Sequence, residues 1–230
     1  MNLPSPLFAG TLLRRYKRFL TDIERPDGAI ITAHTPNTGS MKQCAVPGYP
    51  VLFSAAKNPK RKLSWTLELI QVGNDWVDTH TQRSNQLVAE ALQQGWVAEF
   101  RGYRVRGEYP FGGSRIDFLL TKGEEKVLLE VKNVTLCCDD VTACFPDAVT
   151  VRGQKHLLEL QQALSQGYRS VIFFLVQRSD ARYFSPADEI DPEYGRLLRQ
   201  VVAAGVEVLA YKTRTTPEEN RVAEKMMVKF

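Results

Sequence analysis

Two apolar runs flanking a short polar break constrain this chain more than any other feature. Ser114-Arg-Ile-Asp-Phe-Leu-Leu120 and Val127-Leu-Leu-Glu-Val-Lys-Asn133 read as strands, joined by Thr121-Lys-Gly-Glu-Glu-Lys126. A loop at Gly123-Glu124, with glycine first as a type II′ turn prefers, pairs Lys122 with Glu125. Counting back along that register sets Asp117 opposite Glu130, and alternation puts Lys132 on the face of Glu130. A slip of one residue would scatter the three over both faces.

Charges inside apolar strands need a reason. Glu130 interrupts Val127, Leu128, Leu129 and Val131, and Asp117 interrupts Ile116, Phe118 and Leu119. A buried carboxylate costs several kcal/mol unless it is paired or bound to metal. Two facing carboxylates and an ammonium can hold Mg²⁺ or Mn²⁺ and position a water. The same residues could also form a solvated face, and Glu124-Glu125-Lys126 shows how cheaply Glu-x-Lys arises.

Net charge is +4, and its distribution says more than its size. Residues 1–80 carry ten Lys and Arg against six Asp and Glu, whereas residues 81–230 carry twenty of each. The excess concentrates in Arg14-Arg15-Tyr16-Lys17-Arg18 and around Lys60, Arg61 and Lys62, the footprint of a polyanion partner such as nucleic acid or of an ordinary solvated surface. No apolar run approaches the roughly 18 residues that span a bilayer. Met1-Asn-Leu-Pro-Ser-Pro6 lacks the basic start and apolar core of a signal peptide, so no membrane partner and a cytoplasmic location are expected. The four cysteines suit a reducing compartment, and without a Cys-x-x-Cys pair a structural zinc site is not expected.

The first 80 residues pattern as strands: Leu12–Ile23, Ala29–His34, Tyr49–Ser54, Leu63–Ile70 and Asn74–His80, separated by turn-rich segments. With Tyr16, Phe19, Phe53, Trp65 and Trp76 interleaved among basic residues, they suit a five-stranded barrel of the oligonucleotide-binding (OB) kind. These aromatics are expected mainly in the barrel core, with base stacking as the alternative role. After residue 80 the pattern is mixed. Ser84 is the expected N-cap of a helix through Gln94, with Glu90 flanking its apolar face. Strands follow near Tyr103–Glu108, Arg115–Leu120 and Lys126–Leu136, then a helix over Lys155–Leu164. Val171–Val176 reads as a buried central strand, and a helix near Pro192–Ala204 leads to a strand at Val206–Tyr211. The tail from Thr213 to Phe230 is expected as helix or loose chain. The expected fold class is α/β (α+β overall): an OB-like barrel over 1–80, then a mixed sheet flanked by helices over 81–230.

Two histidines have open roles. His34, in His34-Thr-Pro-Asn-Thr-Gly-Ser40, could cap that turn or meet a ligand. His156 stands near a helix N-terminus, where it could meet a phosphate or simply face solvent.

The pattern Asp-(x)n-Glu-x-Lys on adjacent strands after an opening helix resembles the core of the PD-(D/E)XK nuclease superfamily. The resemblance implies Asp117 and Glu130 as ligands of Mg²⁺ or Mn²⁺ and Lys132 as the residue assisting an attacking water, the three together being the catalytic set. It also implies an acidic metal ligand on the preceding helix, here Glu90, and polar residues on the following helix, here Gln154 and Lys155. Ile116 stands where that superfamily has its proline.

Five segments in order carry a closer resemblance: Arg15-Tyr-Lys-Arg-Phe-Leu20, His34-Thr-Pro-Asn-Thr-Gly-Ser-Met41, Ser114-Arg-Ile-Asp-Phe-Leu119, Glu130-Val-Lys-Asn-Val-Thr-Leu136 and Phe145-Pro-Asp-Ala-Val-Thr-Val-Arg-Gly-Gln-Lys-His-Leu157. Together they resemble the bacterial sugar fermentation stimulation protein A family. This implies an OB-like barrel joined to a nuclease-like domain, DNA binding without sequence preference, and a regulatory role in sugar (maltose) metabolism. The nucleic-acid contacts expected are Arg14, Arg15, Lys17, Arg18, Lys60, Arg61, Lys62 and Lys155. The leading expectation is a nonspecific DNA-binding protein with a retained divalent-metal site. The alternatives are an active Mg²⁺- or Mn²⁺-dependent nuclease and a protein-interaction platform that touches DNA weakly.

Overall fold

The computed structural model describes residues 1–58 and 60–230. Its N-terminal part is a closed barrel. Strands β1 (Phe8–Tyr16), β2 (Leu20–Glu24), β3 (Ile30–His34), β4 (Pro50–Ala55) and β5 (Trp65–Val72) run in the order β3-β2-β1-β4-β5. Parallel pairing of Ala33 and His34 with Trp65 and Thr66 closes the circle. β6 (Asp75–Asp78) adds to the far end of β5. Leu12, Ile23, Phe53, Leu67 and Ile70 fill the barrel.

The segment Leu12–Ile23 is therefore two strands of a hairpin and not one. Its turn lacks glycine, yet Lys17 and Arg18 adopt φ of 48° and 65°. Such left-handed backbone persists in ordinary residues only where the surroundings hold it. Arg15 does so, its guanidinium donating to the Arg18 carbonyl.

The second part starts with α1 (Arg83–Gln93) and continues through β7 (Arg104–Phe111), β8 (Ser114–Lys122), β9 (Glu125–Val134), β10 (Leu136–Cys137), β11 (Thr142–Phe145), α2 (Val151–Leu164), β12 (Arg169–Val176), β13 (Tyr183–Pro186), α3 (Pro192–Ala203), β14 (Glu207–Thr215), β15 (Asn220–Lys225) and β16 (Met227–Val228). A six-stranded mixed sheet has the order β15-β14-β12-β9-β8-β7, with β9, β12 and β14 parallel. β12 is central and buried on both faces, as its unbroken apolar run requires. One face packs on Leu87, Val88, Ala91 and Leu92 of α1. The other packs on Leu157 and Leu160 of α2 and Leu197 and Leu198 of α3. A small sheet, β10-β11-β13-β16, lies beside them.

Four local expectations change. Ser84 lies within the first turn of α1 and makes no cap there, because its hydroxyl donates to Asn133 Oδ1 at 2.8 Å in the neighbouring strand. α2 begins one turn before Lys155, capped by Thr150, whose side chain accepts from Gly153 N at 3.0 Å. The tail from Thr213 is neither helical nor loose: β14 runs on to Thr215, β15 pairs with it and β16 pairs with β13. Cys138 and Cys144 form a disulfide across the β10–β11 turn, while Cys44 and Cys137 are free and buried. Among the described residues no helix is long and apolar enough to cross a membrane.

Candidate cation site and nucleic-acid groove

The β8–β9 hairpin follows the expected register. Lys122 pairs with Glu125 and Phe118 with Leu129, around a turn in which Gly123 has φ of 58°. At the next step the ladder breaks. Asp117 and Glu130 remain neighbours, but Asp117 N meets Glu130 Oε2 at a long 3.4 Å, and Val131 N donates to Asp117 Oδ2 at 2.7 Å. The other side of β8 is irregular as well: β7 pairs on each side of Asp117 but skips Glu108, which has φ of 53°.

The break turns Asp117 toward α1, where Asn85 Nδ2 donates to its Oδ1 at 2.6 Å. Burial first, and then the nearby charge of Glu130, push the Asp117 carboxyl up to about 6. Glu130 is buried among donors on the opposite side. Lys132 Nζ donates to Glu130 Oε1 at 2.6 Å, and His156 Nδ1 donates to the same oxygen. Burial opposes the Glu130 charge, yet the His156 and Lys132 contacts outweigh it and hold the carboxyl below the usual glutamate value. With Nδ1 donating, His156 Nε2 is an acceptor, and Arg152 Nε lies 3.4 Å from it.

The donor set fits a hard divalent cation. Both Glu130 Oε1 contacts are cationic or imidazole donors, whereas among the described residues Oε2 has only the long Asp117 amide, so that oxygen and the Asp117 carboxylate can still ligate. The described residues hold no group of three His, Cys, Asp or Glu side chains placed around one ion, so water or substrate oxygens would complete the shell. Glu90 does not join the pair. Its carboxylate binds the Met1 ammonium at 2.8 Å, and five residues along a helix turn it roughly 140° from Asn85.

Asn85 was not anticipated from the sequence, and His156, expected to meet a phosphate or face solvent, is instead buried against Glu130. His156 shares the apolar face of α2 with Gly153, Leu160 and Ala163, a spacing that fits burial rather than a surface position. Gln154 is used elsewhere, donating to Asp191 at 3.0 Å. Lys155 is exposed, and its ammonium donates to the Gly113 carbonyl at 3.1 Å.

The expected basic contacts separate by what they touch. Arg15 is committed to structure, donating to the Ser40, Asn37 and Gly39 carbonyls at 3.0, 2.7 and 2.9 Å. Ser40 N in turn donates to Asp147 at 2.7 Å, so Arg15 shapes the loop by which the barrel grips the second domain. Arg14 is exposed but paired with Asp22 at 2.7 Å and stacked over Tyr16. Arg18 and Lys60 are exposed. Lys17, Arg61 and Lys62, with Lys57, line a groove of about 1420 Å³ on the barrel, together with residues 1–4 and the start of α1. Among its described lining residues Glu68 is the only carboxylate, and that group is buried and held by Arg83 and Ser54. His34 lines the same groove; burial and then the Arg61 charge lower its pKa. Phe53 and Trp65 pack edge to face at the barrel core, as expected, but Phe19 stands 45% exposed at the groove.

Comparison with known proteins agrees with this architecture. A family profile described as "SfsA N-terminal OB domain" matches residues 13–78, and one described as "Sugar fermentation stimulation protein RE domain" matches residues 82–219. The chain is similar to a sugar fermentation stimulation protein homolog of Syntrophotalea carbinolica, 59% identical over 228 residues and covering 99% of each chain. It is also similar to one of Geobacter sulfurreducens, 54% identical over 230 residues, covering 99% of this chain and 98% of the other. Among solved structures it resembles "The structure of Pyrococcus Furiosus SfsA in complex with Ca2+", with a TM-score of 0.89, 26% identity, and coverage of 100% and 98% of the two chains.

Proposed function

The chain belongs to the sugar fermentation stimulation protein family, and from that premise we propose that it binds DNA without sequence preference and holds a divalent cation between Asp117 and Glu130. The pair of carboxylates carries this reading. Asp117 and Glu130 meet in an otherwise apolar sheet, where the charge of one opposes that of the other. A fold gains nothing from that repulsion, and a cation between the two would relieve it. The solved relative is a complex with Ca²⁺, a hard cation that takes oxygen ligands. The groove supports the nucleic-acid part: its lysines and arginine suit phosphates, whose contacts give affinity without reading sequence. Any regulatory role in sugar metabolism would act through that binding.

A bound divalent cation would supply charge neutralisation at a phosphodiester oxygen. The chain's own residues do the rest: Asn85 and the Val131 amide aim Asp117, while Lys132 and His156 hold Glu130. One observation favours an active nuclease as the second reading. The Lys132 ammonium is largely shielded from solvent and fixed beside Glu130, where it could orient a water or stabilise developing negative charge. The test is binding and cleavage of labelled DNA with Mg²⁺ or Mn²⁺, comparing wild type with Glu130→Ala. Salt-dependent binding by both proteins without cleavage supports the first reading; cleavage by wild type alone supports the second. Absence of binding by either contradicts the nucleic-acid assignment.

A further inference from the structure

The groove beside Phe19 combines basic side chains with an exposed aromatic ring. It is bounded by both parts of the chain. The β4–β5 loop contributes Lys57, Arg61 and Lys62 from the barrel, and the start of α1 lines it from the second part, together with residues 1–4, which are held against that part. Those first residues are firmly held: the Met1 ammonium binds Glu90 and the Asn220 carbonyl at 2.8 Å each, and Leu3 N donates to the Glu218 carbonyl at 2.9 Å. At about 1420 Å³ the groove exceeds the roughly 300–1,000 Å³ typical of small-molecule pockets, so it suits a stretch of chain more than a single metabolite.

Phe19 gives the groove a π-face. It follows the strained Lys17-Arg18 turn, and its carbonyl accepts from Thr35 N at 2.8 Å, so the backbone on both sides of the ring is fixed. At 45% accessibility the Phe19 ring leaves much of its apolar surface open to the groove. A second feature also points to a ligand: the buried Nδ1 of His80, another lining residue, has no hydrogen-bond partner among the described residues. Bases in a duplex are stacked and paired, and a duplex presents mainly phosphates to a concave surface. An unpaired base can leave its neighbours, stack on an aromatic ring and offer its edge to a half-buried imidazole.

Resting on the nucleic-acid reading above, we infer that this groove takes single-stranded nucleic acid, with a base stacked on Phe19 and phosphates on Lys57, Arg61 and Lys62. Duplex would meet only the outer basic residues, and more weakly.

Fluorescence anisotropy with labelled oligothymidine of about 20 nucleotides, and with a duplex of equal length, tests this directly. The single strand is expected to bind about ten-fold tighter than duplex. Phe19→Ala should weaken single-strand binding about ten-fold while leaving duplex affinity unchanged, and Phe19→Tyr should restore it, since a tyrosine ring offers the same stacking face. Because Phe19 is exposed, these variants should keep the wild-type thermal midpoint. Equal affinity for both forms, or a Phe19→Ala variant that binds the single strand like wild type, overturns the inference while leaving nucleic-acid binding intact. No salt-dependent binding to either form overturns both.

Discussion

Val131 donates its backbone N–H to Asp117 Oδ2 at 2.7 Å, where a continuing β8–β9 ladder would give it to a main-chain carbonyl. A side chain has thus replaced a strand in satisfying that amide. The exchange fixes the Asp117 carboxylate beside Glu130 and leaves its second oxygen to Asn85. Removing Asn85 should therefore loosen the aim of Asp117 without removing a ligand. Asn85→Ala is expected to weaken Mn²⁺ binding about ten-fold, as loss of a ligand's hydrogen-bond partner generally does. Glu90→Ala should leave it unchanged, because that carboxylate serves the Met1 ammonium. Isothermal titration of both variants checks this; the reverse ranking would return Glu90 to the site.

Arg83 joins the two parts of the chain at one buried point. Its guanidinium binds Glu68 in β5 and Asp78 in β6, and Asp78 accepts from Asn220 of β15 at 3.0 Å. Arg83→Ala strands two buried carboxylates and should cost about 3–5 kcal/mol by chemical denaturation. A loss below about 1 kcal/mol would mean that this junction does not hold the barrel in place.

The groove cations should act differently from Arg15. Replacing Lys57, Arg61 and Lys62 with alanine is expected to flatten the slope of log affinity against log salt by about two on a single strand. Arg15→Ala should leave that slope intact and lower stability instead, because its donors go to loop carbonyls. Slopes measured between 50 and 200 mM salt, roughly the range where such effects are large, separate the two roles.

Asp22 sets an acid limit on the barrel. Burial opposes its charge, but hydrogen bonds from Arg14, Thr32 and Tyr16 outweigh that and hold the carboxyl below the usual aspartate range. As pH falls, the unfolded chain takes up this proton first, near pH 3.9, roughly the ordinary aspartate value. The stabilisation is therefore present above that pH and is lost as pH falls through the lower folded value. Asp22→Asn should be less stable than wild type at pH 7 by about 1 kcal/mol, and the gap should close below about pH 4. A gap independent of pH would show that the Asp22 charge contributes nothing.

Much of this was legible in the residues, and the illegible parts share a cause. The hairpin register followed from one glycine, because Gly123 marks a turn that sets every pair after it. The central strand followed from its unbroken apolar run. What could not be read depends on partners distant in sequence. The β1–β2 turn has no glycine and is held by Arg15, so nothing local marked it. Ser84 carries the signature of a cap, but Asn133 offers its hydroxyl a partner. β15 is a charged strand at the sheet edge, and its Glu and Lys residues disguised the alternation. In the site itself, Asp117, Glu130 and Lys132 were visible as charges in apolar strands. Asn85 became visible only once the ladder broke and turned Asp117 toward α1.

If Asp117 and Glu130 together hold a cation, calorimetric titration of Mn²⁺ into chelator-treated protein will show it. Wild type should bind one ion. Asp117→Asn, which keeps the size and hydrogen-bonding reach of the side chain but removes the charge, should lose that binding with an unchanged circular dichroism spectrum. The same isotherm in both proteins would mean that the pair holds no cation and leave the two carboxylates without a function.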